Sequence, residues 1–387
     1  MNIGVDFRMG GVRHGGIGRY AFELLKAELE QDRTDRFFVF YNGNVAKEDL
    51  DLLNQYLNVE LVRTSARHYS FAEQTSFLRV LNNAPVDVVH FPNFNHPILY
   101  KKPFVVTIHD MVHERLSGHK KSRWPQFKAY QLEMRHAVMS SRAIIVPSEF
   151  SSKEVLGYYP GAEGKIKIIH EGVTLEEQTP EYMEKVKEQF LLHRPYFLFV
   201  GTLERKKNIS MLARGFDHLI EKYNLNVDLV FAGKTDLHYP EEKQKVLSVK
   251  HKDHIVFTGF VEDKVLAALY GGAHAYVNAS LHEGFGLPGV EAMHFGLPLA
   301  VSNTPVFNEI YDDAAVYFDA MDATDIAEKL RLLAQDKQFY ELRQDKSLAR
   351  SRFFDWEQAA RETLSVLHES SGLPEAIPVV TDLVLET

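Results

Sequence analysis

The sequence predicts an α/β protein of two doubly wound halves facing one another across a cleft. Three observations carry this reading. Short apolar, strand-like runs alternate with helical stretches along the 387 residues. The pattern restarts after a polar stretch near residues 172–192. In each half a strand gives way to a helix through a turn rich in glycine or in cations. At about 150 residues per domain, the length suits two or three domains. Strands alternating with helices imply parallel sheets covered on both faces. Ligands of such sheets bind beyond the carboxyl ends of the strands, so two facing halves would place those ends around one shared crevice.

In the first half, Asn2–Phe7 reads as a strand, Met9–Gly18 as a turn with five glycines, and Tyr20–Glu30 as a helix from its apolar spacing. Arg36–Tyr41, Val86–Phe91, Phe104–His109 and Ala143–Pro147 read as further strands, bounded by Pro or polar residues. Ser148 suits the N-cap of the next helix, and Ile166–Ile169 closes this half. In the second half, Tyr196–Gly201, Val227–Gly233, Ile255–Gly259, Ala275–Asn278 and Leu299–Ser302 are strands. Val316–Tyr317 is a short last one, and Ala323–Leu333 and Trp356–His368 read as helices. The expected domains are residues 1–175 and 190–353, with a closing helix over 354–372.

Composition narrows the function. Hydrophobic residues make up 45% and charged residues 25%, ordinary for a soluble globular protein. No apolar run reaches the roughly 18 residues that a membrane span needs. Met1–Phe7 carries Asp6, lacks a basic start and does not read as a signal peptide. The absence of cysteine excludes disulfides, thiolate zinc sites and cysteine nucleophiles, and fits a cytoplasmic protein. A net charge of -9 argues against nucleic acid as a partner. Residues 1–172 carry 22 Lys/Arg against 19 Asp/Glu, which leaves 22 against 34 for the rest. A mildly basic first half suits a membrane surface or an anionic acceptor, and ordinary scatter of surface charge gives the same count.

Four segments carry chemistry. Gly15-Gly16-Ile17-Gly18 follows a strand and opens a helix, where backbone N–H groups can approach a phosphate. Gly16 to Ala21 also fits the dinucleotide fingerprint G-x-G-x-x-A, but the acid expected at the end of the second strand is missing: that strand ends Phe40-Tyr41-Asn42. In Gly201-Thr202-Leu203-Glu204-Arg205-Lys206-Lys207-Asn208, three cations stand where a strand meets a helix, which suits a diphosphate, and Asn208 is expected to cap that helix. His282-Glu283-Gly284-Phe285-Gly286-Leu287-Pro288-Gly289-Val290-Glu291 is the most specific segment. Pro288 suits a helix's first turn and Gly296 its end. Glu283 then lies in the loop and Glu291 in the helix, both facing one crevice. Carboxylates there bind sugar hydroxyls through charge-assisted hydrogen bonds. His109 ends a strand of the first half and is expected in the cleft, with His113 close behind it.

Taken together and in this order, these segments resemble the retaining glycosyltransferases of family four, which have the GT-B fold of two Rossmann-like domains with an interdomain cleft. Glu283-x7-Glu291 within HEGFGLPGVEAM matches the family's motif, and GTLERKKN its phosphate-clamp turn. GGIGRY, VPSEFS at Val146–Ser151, the run Leu269–Ser280 and the closing helix around Phe354-Asp355-Trp356 match as well, so the likeness covers nearly the whole chain.

The resemblance implies the roles. Gly15 and Gly16 would approach the donor diphosphate from the first domain, and Gly201 with Lys207 would clamp it from the second. Lys206 stands where the family usually has arginine, which leaves Arg205 and Lys206 open as the second contact. Glu291 would take the ribose hydroxyls and Glu283 those of the transferred sugar. Gly284, Phe285, Gly286 and Leu287 would offer backbone groups to sugar and phosphate. His109 would lie near the anomeric carbon, and Val261 where the base binds. The closing helix would cross back onto the first domain.

The resemblance further implies a hexosyltransferase with retention of configuration and no cofactor beyond the donor. No metal is required, because Lys and Arg supply the charge; Asp49-Leu50-Asp51, the only D-x-D, is read as surface. Likeness to bacterial mannosyltransferases of surface-polysaccharide assembly makes GDP-mannose the expected donor and a UDP-sugar the alternative. The expected acceptor is a glycan or a lipid-linked sugar. The basic and aromatic segment His119–Met139 suits peripheral contact with the inner face of a membrane, or an ordinary helix with a core stripe. An NAD-dependent oxidoreductase and a sugar sensor without turnover are the remaining alternatives.

Overall fold

The computed structural model describes residues 1–11, 15–111, 124–235 and 240–373. Two parallel sheets organise it. The first contains β1 (Asn2–Asp6), β2 (Arg36–Tyr41), β3 (Val59–Arg63), β4 (Val88–Phe91), β5 (Phe104–Thr107), β6 (Ala143–Val146) and β7 (Ile166–Ile168) in the order β3-β2-β1-β4-β5-β6-β7. The second contains β8 (Tyr196–Val200), β9 (Asp228–Ala232), β10 (Ile255–Gly259), β11 (Ala275–Asn278), β12 (Leu299–Ser302) and β13 (Ala315–Phe318) in the order β10-β9-β8-β11-β12-β13. In each sheet the order reverses beside the first strand, β1 or β8. That is where such a sheet opens a crevice at its carboxyl edge.

The strands are short and apolar throughout because both faces are covered. Alternate residues go to opposite layers. Ile3, Val5, Phe37, Val39 and Val105 pack on one side of the first sheet, and Phe38, Phe40, Val89, Phe91 and Val106 on the other. The second sheet divides the same way, Leu198, Val230 and Val301 against Phe197, Phe199 and Phe231. Each such side chain contributes about 1.5–3 kcal/mol when fully buried.

The closing helix, Trp356–Ser371, packs Trp356, Ala359, Ala360, Val366 and Leu367 into the first domain's core, beside the helix Gly15–Gln31. Its link is seated tightly: a Cβ on Gly172 would lie 2.2 Å from the Trp356 backbone nitrogen. The polar joint contains the helix Pro180–Gln189, capped by Thr179, and Leu175 and Val186 pack into the second domain's core.

Three features depart from the sequence reading. β3 gave no signal because VELVR is an edge strand with no fully buried residue. Helix Lys337–Ser351 was silent for a similar reason: Ser347 is its one buried residue. The glycine-rich turn is shorter than expected, since Gly15 already begins the helix. His113 and residues 119–123 of the basic, aromatic segment lie outside the described residues.

Candidate active site

The crevice is built where β8 and β11 end. After β8 the chain makes one tight turn, Arg205–Lys207, before the helix Ile209–Tyr223. Asn208 stands at the N-cap of that helix as expected, but its side chain makes no capping hydrogen bond. It adopts the left-handed conformation (φ 52°) that reverses the chain between the two helical segments, and its side chain donates to the Ala320 carbonyl at 2.8 Å. The Lys206 carbonyl accepts from the Leu281 N–H at 2.8 Å, which docks the cationic turn against the loop that carries Glu283.

Lys207 Nζ donates directly to Glu283 Oε1. The Ser280 hydroxyl lies 2.7 Å from the same oxygen, and the Ser280 N–H is held by Asn278 Oδ1 at 2.9 Å. Burial pushes the Glu283 carboxyl up, but Lys207 and Lys206 outweigh it and hold it below the ordinary carboxylate range. Lys206 Nζ reaches Asp110 Oδ2 of the first domain at 3.6 Å and Glu204 Oε1 at 3.7 Å. Burial disfavours its charge, yet Asp110, Glu283 and Glu204 raise its pKa above the usual lysine value. Arg205 is exposed. Of the three cations, Lys206 and Lys207 enter the crevice.

Gly286 (φ 98°) takes the left-handed turn into the helix Leu287–His294, with Pro288 in its first turn. Glu291 follows one turn in and is 4% exposed. Its Oε1 accepts from Arg19 Nη1 at 2.9 Å and its Oε2 from the Tyr270 hydroxyl at 2.8 Å. Burial raises its pKa despite Arg19 and Tyr270. Arg19 comes from the first domain, so this ion pair spans the cleft, and its Nη2 also donates to Asp263 Oδ1.

The two domains meet at Gly284. Its carbonyl accepts from the hydroxyls of Ser148 (2.7 Å) and Ser151 (3.0 Å). Ser148 also caps its own helix through the Ser151 N–H, as expected. Glu309 of the second domain accepts from the N–H groups of Glu149 (2.6 Å) and Phe150 (2.8 Å), the first turn of that helix. Phe285 is buried between His170 and Phe354. Tyr311 donates to the Gly286 carbonyl at 2.6 Å.

His109 sits at the end of β5, opposite Gly284. Its Nε2 lies 2.9 Å from the Pro92 carbonyl and its Nδ1 3.4 Å from Glu171 Oε1, with the Tyr20 ring edge-on. Acceptors at both ring nitrogens favour the doubly protonated imidazole. Burial lowers its pKa, but Glu171, the Pro92 carbonyl and Asp110 raise it above the ordinary histidine value. The folded state therefore gains stability from this proton below the ordinary histidine range and loses it as pH rises through the elevated pKa. Glu171→Gln is expected to move the His109 titration to lower pH, read by NMR of the ring protons; an unmoved titration would remove Glu171 from this role.

Of the residues predicted from sequence, the fold gathers Gly201, Lys206, Lys207, Glu283, Gly284 and His109, with Glu291 alongside. Gly15 and Gly16 are exposed in the first turn of their helix, and a Cβ on either meets nothing within 4 Å. Val261 is half-buried against the second core, and Leu287 lies in the same core. Asp51 is exposed as expected, but Asp49 is not plain surface: it turns toward Gly11, whose Cβ would lie 2.2 Å from Asp49 Oδ2. Arg19, Asp110, Glu171, Tyr270 and Glu309 were missed. Arg19 and Tyr270 lie inside quoted motifs, but only tertiary structure brings them to Glu291.

Residues 14–177 match the family model for Glycosyltransferase Family 4, and residues 183–348 the model for Glycosyl transferases group 1. The chain is 24% identical to O-antigen chain mannosyltransferase B of Escherichia coli, over 90% of this chain and 95% of that one. It is 25% identical to the serotype-specific mannosyltransferase WbdA of Escherichia coli, over 89% of this chain but 45% of that longer protein. Among solved structures, Anabaena HepE in complex with UDP and glucose superposes with a TM-score of 0.74 at 16% identity, covering 95% of this chain and 99% of that one. WaaG, a glycosyltransferase involved in lipopolysaccharide biosynthesis, gives 0.72 at 14%, with the same coverage. These two likenesses establish the architecture, and the family models leave no place for the oxidoreductase alternative. With one model on each half and two parallel-sheet domains about a cleft, the chain belongs to the family-four glycosyltransferases of the GT-B fold.

Proposed function

We propose that this enzyme transfers mannose from GDP-mannose, with retention, to a glycan or lipid-linked acceptor of a surface polysaccharide. The observation that carries the reading is the meeting of Lys206, Lys207 and Glu283 in one cleft with Glu291. Relatives named as mannosyltransferases support the sugar. A UDP-sugar donor is the second reading, favoured by the neighbour solved with UDP-glucose.

Charge dictates the chemistry. As the bond from the anomeric carbon to phosphate oxygen breaks, negative charge gathers on the departing diphosphate. Lys207 and Lys206 stand ready to stabilise it, and such preorganised charge is usually the largest catalytic contribution. Glu291 takes the ribose hydroxyls and Glu283 those of the sugar. The acceptor oxygen bonds to the anomeric carbon on the face the phosphate leaves, and its proton passes to a phosphate oxygen. His109, with an acceptor at each nitrogen, serves as a positive charge beside the sugar and not as the base. Lys206, paired across the cleft, is the second phosphate contact in preference to the exposed Arg205. The lysines make a metal unnecessary, so turnover is expected to survive EDTA.

Among the described residues no helix is long and apolar enough to cross a membrane. Helix Trp124–Ser140 exposes Lys128, Leu132, Arg135 and Met139, a face that suits peripheral contact with the inner leaflet where a lipid-linked acceptor resides. The test is turnover with GDP-mannose, UDP-glucose and UDP-galactose, using acceptor presented in anionic vesicles, with the product's anomeric configuration read by NMR. GDP-mannose consumption, an α-linked product and co-flotation with the vesicles are expected. An inverted product, a trapped glycosyl-enzyme, or a protein left behind by the vesicles would each remove the corresponding part.

A further inference from the structure

Glu291 has no free oxygen in this structure. Arg19 occupies Oε1 and Tyr270 occupies Oε2. Each oxygen keeps a second lone pair, so a ribose diol bridging both oxygens competes with these donors for the carboxylate, and its hold is strongest once one of them leaves. Tyr270 is fully buried, and its hydroxyl also lies 3.0 Å from the Pro288 carbonyl, so it is fixed within the second domain. Arg19 is the movable partner: a long side chain, 14% exposed, reaching over from the opposite domain.

Arg19 also stands one turn into the helix whose first residues, Gly15 and Gly16, are exposed, with open space where a Cβ would lie. A buried guanidinium does not leave a carboxylate without another anion to receive it. The ligand that brings a ribose brings a diphosphate with it, and the fork of an arginine matches phosphate oxygens. We propose that Arg19 exchanges carboxylate for phosphate: the donor's ribose takes Glu291, and the released guanidinium closes on the donor's diphosphate. Arg19–Glu291 and Arg19–Asp263 thus tie the first domain to the second, and the donor itself undoes that latch. Arg19 becomes the first domain's cation on the diphosphate, opposite Lys206 and Lys207. This rests on the reading that Glu291 receives the ribose.

The test is calorimetric titration of GDP, GMP and guanosine, and of UDP, UMP and uridine, into the unaltered enzyme and into Arg19→Gln, Arg19→Lys and Asp263→Asn. In Arg19→Gln the diphosphate should bind at least tenfold more weakly, while the nucleoside binds as tightly as before or more tightly, its competitor gone. Arg19→Lys, which keeps a cation, should fall between. Asp263→Asn, which frees Arg19, should bind the diphosphate a few-fold more tightly. Equal changes for nucleoside and diphosphate in Arg19→Gln would overturn the exchange and leave Arg19 a simple competitor or a structural tie. No nucleotide binding to the unaltered enzyme would instead sink the donor-site reading, and the exchange with it.

Discussion

Lys207→Ala is expected to lower kcat by about 100- to 1,000-fold, because a preorganised charge aimed at the leaving group is removed. That corresponds to about 2.7–4 kcal/mol of transition-state stabilisation. The same change has a second, separable effect. Glu283 is buried, and Lys207 is its hydrogen-bonded cation. Removing one partner of a buried pair costs about 3–5 kcal/mol. The sign of its pH dependence follows from the pKa. In the unaltered enzyme Glu283 titrates below its ordinary value, so the pair stabilises the fold above the ordinary carboxylate range and is lost as pH falls through the depressed pKa. Without Lys207, burial has less to oppose it, the carboxyl titrates higher, and the variant should lose most stability at neutral and alkaline pH. Lys207→Met combined with Glu283→Gln removes both charges. It should recover much of the melting temperature and none of the turnover, which separates the catalytic charge from the structural one.

Gly284→Ala is expected to be severely damaging for the addition of one methyl group. Its Cβ would lie 1.8 Å from the His109 carbonyl oxygen and 2.9 Å from the carbonyl carbon, both backbone atoms of the other domain. The loop cannot slide away cheaply, since the Gly284 carbonyl is held by Ser148 and Ser151. Overpacking of this kind costs about 1–3 kcal/mol or more. The functional cost should be larger, because the domains must part at the point where Glu283 and His109 are set, and a misplacement of about 1 Å can cost 100-fold in rate. Gly157→Ala is the control: a Cβ there meets nothing within 4 Å, so its melting temperature and turnover should stay near those of the unaltered enzyme.

The layers of this fold were legible because a parallel sheet buried on both faces writes itself as short continuous apolar runs. VVHF, FVVT, AIIV and YFLFV could be placed to within two residues at each end. The edge strand VELVR was invisible because a half-covered strand carries no such run. Within the site, residues tied to local chain geometry were readable: Pro288 in a first turn, Gly296 just past the helix's end, Ser148 as a cap. Asn208 was half legible: it takes the N-cap position, but asparagine also suits a left-handed turn, and the adjoining turn Arg205–Lys207 puts it in that conformation with its side chain turned away from the helix. Arg19, Asp110, Glu171 and Glu309 were beyond reach of pattern reading. Arg19, Asp110 and Glu309 act across the cleft, on partners more than 90 residues away in sequence, and an exposed-looking charge gives no local sign of such a partner.

A crystal structure of the enzyme with GDP or UDP diffused into the cleft bears most directly on the whole account. The diphosphate should lie within hydrogen-bonding distance of Lys207 Nζ, with the ribose hydroxyls on Glu291. A nucleotide seated elsewhere, with Lys207 still closed on Glu283 and its phosphates touching neither lysine, would contradict it.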